Sequence, residues 1–220
     1  MIELIIFDLD GLLADTEKLH MKSYQNVLAD MGYHNLSDEI YAAHWIRLGK
    51  GIVEFLEERK LNLDIELIRK NKAAEYNRLV KSEVKAMPGA EKLLQSLRDN
   101  NMKVTLATAS YSHSAKAVLE TLGFEKYFQF IASKESIQRN KPFPDIFLLV
   151  AEKMKISPEK CLVLEDAEKG VLAAFNAGMK CIAIPNQHTK NNDFSKATLV
   201  LSSLEKVSLD TIKKVGLSSN

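Results

Sequence analysis

Only two of the 220 residues are cysteine, Cys161 and Cys181, and each lies inside a short apolar run. The sequence therefore predicts two buried thiols on neighbouring strands. Two cysteines are too few for a disulfide framework or a thiolate metal site. No excess of charge of either sign exists: 30 Lys and Arg stand against 29 Asp and Glu. A basic face for nucleic acid or an anionic membrane surface is not expected. Long apolar runs are missing as well. Ile2–Phe7 is interrupted by Glu3 and stops at Asp8, too short for a signal peptide or a membrane span, so a cytoplasmic location is expected. There are no internal repeats or low-complexity stretches, and the tail Ser218-Ser219 is expected to fray.

What the chain does have is a 46% hydrophobic content, enough for a sizeable core. Short β-rich runs recur at Leu4–Phe7, Val104–Ala107, Phe128–Ala132, Cys161–Leu164, Cys181–Ile184 and Leu199–Leu201. Helical spacing separates most of them, as in Ala90, Leu93, Leu94 and Leu97, or Ala115, Val118, Leu119 and Leu122. Strands apolar on both faces, alternating with helices, predict an α/β fold: a Rossmann-like, doubly wound parallel sheet covered on both sides. The alternation fails once. From Asp15 to about Glu83 only helical pattern is found, in Leu19, Val27, Leu28 and Met31, then Ile52, Phe55 and Leu56, then Ile65, Ile68 and Leu79. A parallel crossover needs a single helix, so about seventy residues here predict an inserted all-helical domain. The expected division is a core of residues 1–15 and 84–220 with an insertion at 16–83; Met87-Pro88-Gly89 marks the return.

In open α/β sheets ligands bind beyond the carboxyl ends of the strands, so the residues just past each strand carry the information. The first strand runs into Asp8-Leu9-Asp10-Gly11 and the fourth into Glu165-Asp166. Such acids repel one another unless a cation lies among them, and hard oxygen donors without His or Cys suit Mg²⁺. The second strand leads into Thr108-Ala109-Ser110, where Thr108 either caps a helix or, with the following N–H groups, holds a phosphate. After the third comes Lys141-Pro142-Phe143-Pro144-Asp145, whose lysine would balance charge beside the acids.

These segments, in this order, resemble the four signature motifs of the haloacid dehalogenase-like superfamily. Phe7–Glu17, Lys141–Phe147 and Leu164–Ala167 further resemble its β-phosphoglucomutase-like branch, and the resemblance covers the whole chain, helical cap included. It implies a phosphotransferase in which Asp8 attacks phosphorus and carries it as an acyl phosphate. Mg²⁺ would be held by Asp8, the Asp10 carbonyl and Asp166, with Glu165 direct or one step removed. Thr108 and Lys141 would hold phosphoryl oxygens, and Asp10 would serve as general acid and then base. True dehalogenases lack the second acid, so Asp10 points to phosphoryl chemistry. A monomer is the family habit.

The insertion would contact the leaving group. Thr16 and His20 share a helix face, and in mutases of this branch such a pair assists Asp10; otherwise His20 is simply a half-buried helix residue. His44–Gly51 reads as a loop whose aromatic Trp45 and cations Arg47 and Lys50 suit a sugar phosphate, or else as a solvated turn, and Lys72, or Lys70, matches a second phosphate-binding lysine. Ala109 and Ser110 complete the substrate contacts. The expected activity is a Mg²⁺-dependent phosphatase acting on a small phosphorylated metabolite such as a sugar phosphate. A β-phosphoglucomutase-type mutase is the alternative, then a non-catalytic phosphometabolite binder. A signalling receiver domain also gathers such groups, but it is half this length and has no insertion.

Overall fold

In the computed structural model, which describes residues 1–218, the elements run in order. They are β1 (Leu4–Phe7), α1 (Glu17–Asp30), α2 (Asp38–Tyr41), α3 (Ile52–Glu58), α4 (Ile65–Glu83), α5 (Ala90–Asp99), β2 (Lys103–Ala107), α6 (Ser112–Leu122) and β3 (Ile131–Ala132). Then come α7 (Asp145–Met154), β4 (Cys161–Glu165), α8 (Glu168–Asn176), β5 (Lys180–Ala183), β6 (Leu199–Val200) and α9 (Leu209–Leu217). The chain divides into two compact units, one of Met1–Asp15 with Lys85–Asn220 and one of Thr16–Val84. Among the described residues, no helix is long and apolar enough to cross a membrane.

The first unit is an α/β domain with a six-stranded parallel sheet in the order β3-β2-β1-β4-β5-β6. All four residues of β1 are fully buried. Leu4 and Ile6 meet Ile146, Phe147 and Val150 of α7 and Val171 and Ala174 of α8, while Ile5 and Phe7 point to the opposite face. The strand order reverses at β1, whose carboxyl end is therefore the crevice of the fold. Parallel register puts Phe7 opposite both Leu106 and Leu164, so Asp8, Ala107 and Glu165 emerge side by side. Both cysteines are buried and unpaired, on the adjacent strands β4 and β5.

The expected third and sixth strands are cut back to two residues each. A 3₁₀ turn at Glu125–Tyr127 precedes the third. Pairing with β2 nonetheless begins before β3 proper, since Gln129 N–H donates to Val104 O and Phe130 O accepts from Leu106 N–H. The tail also departs from expectation. Lys180, buried in β5, donates to the carbonyls of Val215, Gly216 and Ser218 and so caps the free end of α9; Ser218 is held, and Ser219 lies outside the described residues.

The second unit is all helical, with α1 packed along α4. Its core joins Val27, Leu28, Tyr41, Ile52, Phe55 and Ile68. The expected loop at His44–Gly51 is only half a loop, because Ala42–Arg47 forms a π-helical turn. Its Trp45 lies against Tyr24, Tyr41 and Phe55, with ring centroids 4.8, 5.0 and 4.7 Å away, and serves as core, not as a sugar platform.

Candidate active site

Because β1 and β4 are neighbours, their terminal acids cannot avoid each other. Carboxylate oxygens of Asp8, Glu165 and Asp166 all lie within 4.8 Å of one another, and all three residues are buried. One cation enters from the segment after β3. Lys141 is 8% exposed, and its Nζ donates to Asp8 Oδ1 (2.6 Å), Glu165 Oε1 (2.7 Å) and Ala107 O (3.0 Å). An ammonium has three hydrogens, and these three acceptors use all of them.

Both oxygens of Glu165 are engaged by the protein, Oε1 by Lys141 alone. Its Oε2 accepts the N–H groups of Asp166 (2.9 Å) and Ala167 (3.1 Å), which lead into α8. Room for that carboxylate is made by Gly170: a Cβ there would lie 1.8 Å from Oε1 and 1.9 Å from the carboxyl carbon. Asp166 Oδ2 accepts from Asn186 Nδ2 at 2.8 Å, and the same amide donates to Gly11 O at 3.1 Å. Gly11 has φ +80°, and any Cβ on it would come within 2.6 Å of Asp166 Oδ2.

Three buried acids facing one ammonium leave an unbalanced negative charge, and the ionisation of the groups reflects it. Burial pushes Asp8 up to about 7; Lys141 opposes this, while Glu165 and Asp10 add to it. Asp166 is raised well above the usual carboxylate range, again by burial first and then by Glu165 and Asp8. Burial alone would lower Lys141, but Asp8 and Glu165 together raise it, so it is charged throughout the working range. A compact, oxygen-only, electron-rich pocket of this kind fits Mg²⁺, which favours carboxylate ligands.

Asp10 departs from the expected cluster of four acids. Its carboxylate is turned to the hydroxyls at the end of β2, where Ser110 Oγ donates to Oδ2 at 2.6 Å and Thr108 Oγ1 at 3.3 Å. Thr108 Oγ1 also accepts from Ser110 N–H (3.0 Å), and Ala109 between them is exposed. One edge of the sheet thus carries an acid-and-lysine pocket beside an acid-and-hydroxyl pocket. That arrangement suits an anionic group held near a metal, with a separate acid available for proton transfer.

Within the inserted unit the expected ligands divide. His20 stacks on Tyr76 (centroids 4.1 Å, planes 8° apart), and its Nδ1 lies 2.7 Å from Lys72 Nζ. Lys72 rather than the exposed Lys70 is the lysine brought to His20. Thr16 is fully buried at the start of α1. Arg47 pairs with Glu39, and Lys50 with Glu58 at 2.6 Å, so neither is presented as an unbalanced cation. Sequence reasoning missed Asn186 and Gly170. Asn186 was discoverable as the polar residue just past the fifth apolar run, and Gly170 as a glycine in the helix after the acids.

A family model described as haloacid dehalogenase-like hydrolase matches residues 5–184. The phosphorylated carbohydrates phosphatase of Thermotoga maritima is 32% identical over 180 residues, covering 82% of this chain and 83% of that protein. The crystal structure of CbbY from Rhodobacter sphaeroides in complex with phosphate superposes with a TM-score of 0.88 at 28% identity, covering 97% of this chain and 100% of that one. β-Phosphoglucomutase from Clostridium difficile superposes with a TM-score of 0.79 at 29% identity, covering 98% and 97%.

Proposed function

The chain belongs to the haloacid dehalogenase-like hydrolase family, and from that premise we propose that it is a magnesium-dependent phosphatase of small phosphorylated metabolites, sugar phosphates foremost, working through a phosphoaspartate on Asp8. The observation that carries this reading is the buried triad of Asp8, Glu165 and Asp166 around the Lys141 ammonium at the crevice of the sheet. A structural ion-pair network would balance its charges; this one has acid to spare.

Asp8, Asp166 and the Asp10 carbonyl would hold Mg²⁺, with Glu165 direct or one step removed, and the ion would supply the positive charge that lets two anions meet. The chain's own residues then divide the work. A carboxylate oxygen of Asp8 attacks phosphorus, and the bond from phosphorus to the ester oxygen breaks. Asp10, protonated, gives its proton to the departing oxygen. It next takes a proton from water, whose oxygen attacks the acyl phosphate and frees Asp8 and inorganic phosphate. Lys141, its three hydrogens engaged, lends positive charge beside Asp8, while Thr108 and the Ala109 N–H steady the phosphoryl oxygens, where alignment and charge neutralisation do most of the catalysis. His20 and Lys72, with Thr16, are read as contacts for the leaving group.

A mutase would need a cation for a second phosphate. Of the expected candidates, Arg47 and Lys50 are each paired with a glutamate inside their own unit and Lys72 lies against His20, which supports the phosphatase reading. Incubation with β-glucose 1-phosphate and a trace of the bisphosphate tests the point. Release of free sugar and phosphate is expected, and conversion to glucose 6-phosphate would overturn the preference. For the reaction class, hydrolysis of p-nitrophenyl phosphate should require Mg²⁺ and stop with EDTA. Turnover unaffected by chelation would refute it.

A further inference from the structure

The fifth strand also ends at the crevice, and it delivers neither an acid nor a base but an amide. Beyond Ala183 the chain passes through Ile184 and Pro185 to Asn186, whose side chain is satisfied at both ends. Its Oδ1 accepts the N–H groups of His188 (2.8 Å) and Thr189 (3.3 Å), while Asn186 N–H donates to Thr189 Oγ1 (3.0 Å). This turn takes only an acceptor on its inner side, so the amide nitrogen is obliged to face outward. There its two hydrogens meet two acceptors, Asp166 Oδ2 and Gly11 O. Asn186 therefore ties the segment after β1 to the segment after β4 from a third strand. The fit is close: a Cβ on Gly11 would lie 2.7 Å from Asn186 Nδ2. An aspartate would satisfy the turn equally well, yet it would set a second negative charge against Asp166.

Accepting the metal-site reading given above, we infer that Asn186 is a positioning residue that fixes the orientation of the Asp166 carboxylate for the divalent cation. It touches neither substrate nor reacting atoms. It acts by limiting the rotation of a buried acid, as outer partners of metal-binding carboxylates do.

The test is calorimetric titration of Mg²⁺ into the metal-free full chain, for wild type, N186A, T189V and D166A. The melting midpoint of each in EDTA is the control for loop damage. N186A is expected to weaken Mg²⁺ binding about tenfold or more, the usual loss for an outer partner. T189V, which loosens the turn but keeps the amide, should weaken it much less. If N186A binds Mg²⁺ as wild type does, or if T189V loses as much as N186A, the inference is overturned. If N186A does not fold, N186S keeps an oxygen for the turn, cannot reach Asp166, and carries the same expectation. Retention of wild-type affinity by D166A would instead sink the metal-site reading itself, a result distinct from failure at Asn186 alone.

Discussion

Replacing Lys141 with methionine keeps most of the side-chain volume and removes the single cation among three buried acids. The three acceptors it serves, Asp8 Oδ1, Glu165 Oε1 and Ala107 O, lose their donor at once. Breaking a buried ion pair by deleting one partner costs about 3–5 kcal/mol, and here two carboxylates are stranded together. For a chain of this size that is a drop of about 6–20 °C in melting midpoint, at about 2–4 °C per kcal/mol. The assay is thermal unfolding in EDTA at pH 8 beside the same measurement in excess Mg²⁺. The deficit should be largest without metal and smaller with it, because the ion replaces part of the missing charge. It should also shrink toward pH 6, where the acids can take up protons instead. Turnover should fall about 10²–10³-fold even with Mg²⁺, the usual loss when one stabilising donor is removed from a charged transition state. Equal midpoints for wild type and K141M in EDTA at pH 8 would refute the reasoning, since the acids would then not depend on Lys141.

Asp8→Asn should abolish p-nitrophenyl phosphate hydrolysis while raising the metal-free melting midpoint, because it removes a carboxylate that burial disfavours; residual full activity would exclude Asp8 as nucleophile. The Asp8 pKa, raised from 3.8 to about 7, gives a signed pH dependence. The metal-free fold is most stable below the unfolded value and loses stability as pH rises through about 7. Between pH 6 and 8 the loss is about 1.4 kcal/mol, or about 3–6 °C, with Asp166 adding in the same direction; a metal-free midpoint that rises over this range contradicts the assignment. Gly170→Ala should displace the Glu165 carboxylate and cost about 1–3 kcal/mol by overpacking, with a larger loss of activity than of stability. Denaturant midpoints and turnover measured on the same sample check it, and unchanged turnover counts against Glu165 as the support of Lys141.

Asp8, Glu165 and Asp166 were legible because each breaks an apolar run at the end of a buried strand, where charge is costly and needs a reason. The layering followed from the same runs, since parallel strands buried on both faces need helices on each side; the strand order did not. Lys141 was legible only through its two prolines and its place in the chain order. The insertion's ligands are harder to read. Arg47 and Lys50 look available in sequence, yet their partners Glu39 and Glu58 are each eight residues away, outside the three- and four-residue spacings by which helical pairs announce themselves. Trp45 resembles a ligand contact in sequence because it is a lone aromatic beside cations; only the packing of Tyr24, Tyr41 and Phe55 reveals it as core. Asn186 carries no charge and sits past a strand that ends in no acid, so only its place just beyond the fifth apolar run marks it. The crowding at Gly170 is likewise tertiary.

Lys180 adds a mechanical consequence. A cationic side chain inside a strand is fastened to main-chain oxygens at the carboxyl end of α9, so that helix is moored to the strand next to the one bearing Glu165. Among the described residues its partners are carbonyl oxygens and a hydroxyl, so mild acidification should leave the joint intact. Limited endoproteolysis within α9 should therefore be slow in the wild-type protein. Lys180→Met should speed it, since the helix would lose its hold on β5, whose following turn carries Asn186.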